Sequence, residues 1–215
     1  MPETAGDRDP LLARAGNLEY DRVLFFSDAV FAIAITLLAA GLYQPSRSPA
    51  ATVASQLHDT LPDIVGFGIS FAVIGLFWLG HHTIFRFITR LDRPLVMLNL
   101  LFLGLIAFLP YPTRLLSGHG GQATAVILYA ACAAMAGLTE LAIWLYANLS
   151  PKGLADPSAR AVRRRYLLRI GRIPVVFALS IPVAVRSPTA ATYLWILLWA
   201  SGVVIDRLVP HRHPG

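Results

Sequence analysis

An all-α membrane protein with six transmembrane helices per chain is the fold class that the sequence predicts, on three observations. Of its 215 residues 56% are hydrophobic and 14% charged, against roughly 25% charged in a soluble domain, and the mean hydropathy is +0.61. Six apolar runs reach about the 20 residues that a spanning helix needs. Lys and Arg are segregated into alternate connections, as cytoplasmic loops require.

The first 21 residues form a polar tail of mixed charge (Glu3, Asp7, Arg8, Asp9, Arg14, Glu19, Asp21). That composition does not resemble a signal peptide, so the first span is expected to be retained. The first span covers about 22–42, and Arg47-Ser48-Pro49 marks the connection after it. The second, about 62–85, starts at Pro62 and stops before Arg86. The third, about 94–116, runs to the turn at Gly118 to Gly121, and the fourth covers about 122–147. Ser150 to Arg165 is the longest internal connection. Spans at about 166–186 and 189–207 follow, interrupted by Pro174, Pro182 and Pro188, which neighbouring helices make tolerable in a membrane. Residues 208–215 form a second tail. No internal repeat is evident, so 22–207 is one six-helix unit.

With an even number of spans, both termini share a side with the 2–3 and 4–5 connections. Fifteen Lys and Arg fall on that side, including Arg86, Arg90, Arg93, Lys152 and Arg163 to Arg165, against three (Arg47, Arg114, Arg186) on the other. Both termini are therefore expected in the cytoplasm. The net charge of +6 belongs to topology, and no basic face with interleaved aromatics points to nucleic acid. The single Cys132 excludes a disulfide framework and a thiolate metal cluster. No nucleophile elbow, metal motif or phosphate loop points to an enzyme or a cofactor.

Asp28 interrupts the first apolar run, where an unpaired charge costs several kcal/mol. It lies six residues beyond Arg22, about 9 Å in. His81, five residues before Arg86, lies about 7.5 Å in, and Asn99, six past Arg93, about 9 Å. Arg22 and Ser27 belong near the same level. Together these groups can satisfy a buried carboxylate, either as glue between helices or as an ion-handling site; the alternative is unrelated polar groups with Arg22 snorkelling. His82 points to another face. Glu140 is a second carboxylate within a span, for which Arg169 or Arg172 is the expected partner, with an ion or proton pathway as the other option.

Ile33, Thr36, Leu37 and Ala40 share one helical face, and five residues' separation turns that face away from Asp28. By itself such a stripe fits packing or lipid contact, and Thr36 fits a bond to its own backbone. Ile64-Val65-Gly66-Phe67-Gly68 has the look of a carbonyl filter. It follows Pro62-Asp63 without a pore helix, and the apolar run continues to Leu79, so a filter is not expected.

Arg22-x3-Phe26-Ser27-Asp28-Ala-Val-Phe-Ala-Ile-x-Ile-Thr-Leu-Leu38 resembles the first helix of the transmembrane protein 175 family of potassium channels, in its bacterial single-repeat form. Trp78-x2-His81, Phe85, Asp92, Leu98-Asn99-Leu100-Leu101-Phe102-Leu103 and Phe108-Leu109-Pro110-Tyr111-Pro112-Thr113 continue the match over about half the chain. The resemblance implies a homotetramer in the bacterial inner membrane, with helix 1 lining a pore for permeant potassium and no cofactor. It maps the narrowest ring to Ile33 and further layers to Thr36, Leu37 and Ala40, where the family commonly carries a bulkier apolar residue than Ala40. It maps Arg22, Phe26, Ser27, Asp28, Trp78, His81 and Asn99 to a polar network that ties helix 1 to helices 2 and 3. A weakly selective cation or proton conductance through the same pore is the alternative, and a non-conducting scaffold or small transporter is a further one.

Overall fold

In a computed structural model of the chain, residues 10–42, 52–198 and 201–202 are described, with side chains from residue 18 onward. Arg47, Arg207 and Arg212, and most of the tail segments, lie outside the described residues. The described residues form helices α1 (Pro10–Ala40), α2 (Val53–Phe85), α3 (Arg93–Phe108), α4 (Pro110–His119), α5 (Ala123–Leu149), α6 (Ala159–Arg186) and α7 (Pro188–Leu194). Five segments are long and apolar enough to cross a membrane: Leu18–Ala40, Val53–Phe85, Arg93–His119, Ala123–Leu149 and Ala159–Arg186. The expected sixth span is described only as α7 and a few residues after it, the rest lying outside the described residues.

Local chemistry sets these boundaries. Asp92 caps α3 by accepting from the Leu95 N–H at 3.1 Å, and Thr52 caps α2 through the Ser55 N–H at 3.2 Å; such caps satisfy an otherwise orphaned donor. The expected third span is divided at Leu109. Pro110 has no N–H to give the Ile106 carbonyl, and that carbonyl accepts from Leu109 instead, at 3.2 Å. Similarly, Ser187 ends α6 and caps α7, accepting from the Ala190 N–H at 3.3 Å ahead of Pro188. Both α1 and α2 begin before the apolar runs that identify them, at Pro10 and Val53. Residues 64–68 are helical within α2, so the filter-like pentapeptide offers no row of free carbonyls.

The innermost helix is α5, with Tyr129, Ala133, Ala136, Ile143 and Trp144 fully buried. It packs tightly on α6: a Cβ placed on Gly137 would lie 2.7 Å from Pro174 Cδ. At one end of the bundle the 2–3 connection pairs with the linker before α6, through Thr89 N–H to Leu154 O and Asp156 N–H to Phe87 O, both 2.8 Å. The Tyr20 hydroxyl donates to the Phe85 carbonyl at the same end. Arg86, Arg90, Arg93 and Lys152 therefore cluster on one side of the molecule, around the same connections that the charge count assigned to one membrane face.

Candidate functional site

Helix α1 has two unlike faces. Ser27, Phe31, Ala34 and Leu38, spaced by one or two turns, are buried against α2 and α3. Phe26, Ile33, Thr36, Leu37 and Ala40 are exposed on the opposite side. Arg22 is also exposed. Since one residue advances about 100° around a helix, the buried Ser27 cannot share a direction with Asp28, which lies half-buried at the edge between the faces.

That angular step splits the polar residues into two groups. In the first, His81 Nε2 lies 2.9 Å from Asn99 Oδ1, Asn99 Nδ2 donates to Ser27 Oγ at 3.1 Å, and Ser27 donates to the Val23 carbonyl at 2.8 Å. With Asn99 oriented this way, His81 is the donor and the chain runs from α2 through α3 to the α1 backbone. Each step is satisfied, which is the condition for burying polar groups in an apolar interior. Phe85 and Phe102 stack on the His81 ring at 4.2 and 5.6 Å and hold it in plane. In the second group, Trp78 Nε1 donates to Asp28 Oδ1 at 2.9 Å, and His82 stacks on Trp78 at 5.5 Å.

The expectation of one cluster around the carboxylate therefore needs correction. Ser27, His81 and Asn99 form their own chain, Asp28 is held by Trp78, and no bond joins Arg22 to either group among the described residues. Ser27 needs no carboxylate because its proton goes to its own helix. The Trp78–Asp28 bond has no periodic signal in the sequence, being a meeting of residues on two helices.

On the exposed face Thr36 donates to the Ile33 carbonyl at 2.8 Å, leaving the hydroxyl lone pairs facing outward. Ile33 is 58% and Leu37 44% exposed among the described residues. A second buried polar cluster carries little signal in the sequence: Ser70 lies 2.8 Å from Thr113 Oγ1 and donates to Tyr129 at 3.2 Å. Lone hydroxyls within three separate apolar runs are the only signal that sequence offered for it. At the loop end, Asp92 accepts from Lys152 and Tyr146, both at 2.8 Å. Partial burial pushes the Asp92 carboxyl up, but the bonds from Lys152, Tyr146 and the Leu95 N–H outweigh it and hold it below its ordinary value. Glu140 is fully buried, and neither of its oxygens has a hydrogen-bond partner. Its expected partner Arg172 instead donates to the Leu198 carbonyl.

Comparison with known proteins places these features. The sequence model of the family described as "Endosomal/lysosomal potassium channel TMEM175" matches residues 22–110, which hold both polar groups and the exposed α1 face. A potassium channel of Streptomyces collinus is 33% identical over 75% of this chain and 82% of its own length. One from Chamaesiphon minutus is 34% identical, over 75% of this chain and 84% of its own. The human endosomal/lysosomal proton channel TMEM175 is 28% identical over 73% of this chain, which spans 33% of that longer protein. The crystal structure of a lysosomal potassium-selective channel TMEM175 homolog from Chamaesiphon minutus superposes with a TM-score of 0.73 at 28% identity, covering 87% of this chain and 98% of that one. With the motif-bearing helices, the fold and the sequence all in agreement, the chain belongs to the TMEM175 family of ion channels.

Proposed function

We propose that the chain forms a potassium-preferring channel in the bacterial inner membrane, with both termini cytoplasmic and four copies placing α1 around a central pore. The observation that carries this is the outward face of α1. Exposed Phe26 and Trp78 flank half-buried Asp28, and Ile33, Thr36 and Leu37 along the same face lie exposed among the described residues. A carboxylate left against lipid is costly, so this face calls for further copies of the chain, and a closed ring is the economical arrangement. The names of the bacterial relatives support potassium as the ion.

Ile33 lies eleven residues beyond Arg22, about 16 Å in, near the middle of a core about 30 Å thick. Four isoleucines converging there make an apolar constriction that gates by dewetting. The Thr36 hydroxyls, one turn further, supply oxygen to a partly dehydrated ion, and Leu37 and Ala40 line the next layers. Ala40 leaves that last layer wider than a larger apolar residue would. The buried polar residues act at a distance, fixing the rotation of α1 so that Ile33 points to the axis.

Flux into liposomes tests this. The reconstituted protein is expected to pass potassium and to be silent when choline is the only cation, and Ile33→Asn to raise sodium flux relative to potassium. No flux, or flux insensitive to every change at Ile33 and Leu37, overturns the assignment in favour of a scaffold or transporter. Because the vertebrate relatives are named proton channels, the same assay with a pH-sensitive dye inside separates potassium preference from a weakly selective or proton conductance.

A further inference from the structure

Glu140 is the one buried group among the described residues whose side-chain oxygens both lack a hydrogen-bond partner. It sits on α5, the innermost helix, facing α2 at Gly80. A Cβ at Gly80 would collide with Glu140 Oε1, so the glycine is what gives the carboxyl group its room. Beside it lies a cavity of about 100 Å³ between α2, α5 and α6, whose wall includes Gly80, Thr83, Glu140, Tyr166, Arg169 and Arg172. Among the described residues none of α1 lines it, so it is separate from the proposed pore.

We propose that Glu140 is a proton-exchange site, served by water in this cavity from the basic-loop end of the bundle. A carboxyl group buried without a donor needs a proton or a cation beside it. The other charged groups of the wall, among the described residues, are Arg169 and Arg172 on α6, and neither donates a hydrogen bond to Glu140. Among the described residues no group of three metal-ligating side chains surrounds it, whereas a proton is relayed by neutral water. Tyr166 is the other titratable side chain in the wall, and α2 contributes the Thr83 hydroxyl, which donates to the Leu79 carbonyl at 2.6 Å and keeps its lone pairs for water. The neighbouring histidines face elsewhere: His81 reaches Asn99 and His82 stacks on Trp78. On α5 itself Glu140 is the only charged residue. At about 30 Å³ per water the cavity has room for a few molecules, and its polar wall offers the partners they need. Access is short, since Thr83 stands three residues before Arg86, where α2 ends.

Only three glutamates occur in the chain, Glu3, Glu19 and Glu140, which makes the site directly observable. Glu140 becomes the sole reporter when carbon-13 glutamate is fed to cells making the Glu3→Gln, Glu19→Gln double variant. The full-length protein in liposomes is then followed by infrared difference spectroscopy between about pH 5 and pH 9. The expected result is a labelled carboxyl C=O band that rises as pH falls, shifts in heavy water, and is lost in Glu140→Gln. Thr83→Val, which removes a wall hydroxyl, is expected to move the band, and it serves as the second variant if Glu140→Gln fails to fold. A band that does not change with pH, the absence of any band, or a band that heavy water does not shift overturns the proposal. These readouts need no ion flux, so they stand or fall apart from the pore.

Discussion

The indole N–H of Trp78 donates to Asp28 at 2.9 Å, across the line where α1 meets α2. One residue earlier, Ser27 is joined to Asn99 at 3.1 Å. Adjacent residues of one helix are thereby held by two different neighbours, and the rotation of α1 is fixed from both sides.

Trp78→Phe keeps the ring and removes the donor. It is expected to lower stability by about 1–3 kcal/mol, the cost of leaving a partly buried acceptor without its bond. Asp28→Asn keeps an acceptor oxygen and is expected to cost less. Thermal unfolding and size-exclusion chromatography in detergent check both. An assembled, fully stable Asp28→Asn protein with altered conductance alone would contradict the supporting role given to Asp28.

Asn99 is the middle of the chain from His81 to Ser27. Asn99→Leu strands both ends in the core and is expected to destabilise the bundle by about 2–3 kcal/mol. His81→Phe in the same background removes one stranded end, so the double variant is expected to recover part of the loss. A double-mutant cycle of melting temperatures measures the coupling.

Gly137 marks the tightest approach of α5 to α6, where an added Cβ would lie 2.7 Å from Pro174 Cδ. The proline ring is rigid, so the helices must separate. Gly137→Ala is expected to cost about 1–3 kcal/mol through overpacking. Gly104, around which a Cβ meets nothing within 4 Å, is the control: Gly104→Ala is expected to be neutral or stabilising.

Asp92 joins the 2–3 connection to the α5 end through Tyr146 and Lys152. Its carboxyl is held below its ordinary value in the folded state. The stability it adds is therefore complete above the unfolded-chain value of about 3.9 and is lost as pH falls through the lower, folded value. Wild type and Asp92→Ala are expected to differ by a constant amount from pH 7 down to about 4, with loss of the cap alone contributing about 1 kcal/mol. Below that the two melting curves should converge, as circular dichroism across pH would record.

Much of the architecture was legible from hydropathy and charge, because a bilayer admits few backbone solutions and basic residues cannot easily be moved across it. Five long apolar helices lie where five of the apolar runs lie. The division at Leu109 leaves no mark in hydropathy, although Pro110 encodes it; an apolar run hides a break that costs no hydrophobicity. Depth arguments placed Ser27, Asp28, His81 and Asn99 at one level of the membrane, which the helical rise alone determines.

Depth does not determine azimuth between helices. Only the tertiary structure decided that His81, Asn99 and Ser27 join one chain while Asp28 turns to Trp78, since that depends on how α1, α2 and α3 are rotated against each other. For Glu140 the sequence supplied a carboxyl group and two candidate arginines. The packing of α2 at Gly80 and the turning of Arg172 to Leu198 left it facing a cavity instead. Sequence by itself determined which helices are long and apolar enough to cross a membrane; side-chain partnership across helices, which no spacing along one chain encodes, was settled by the fold.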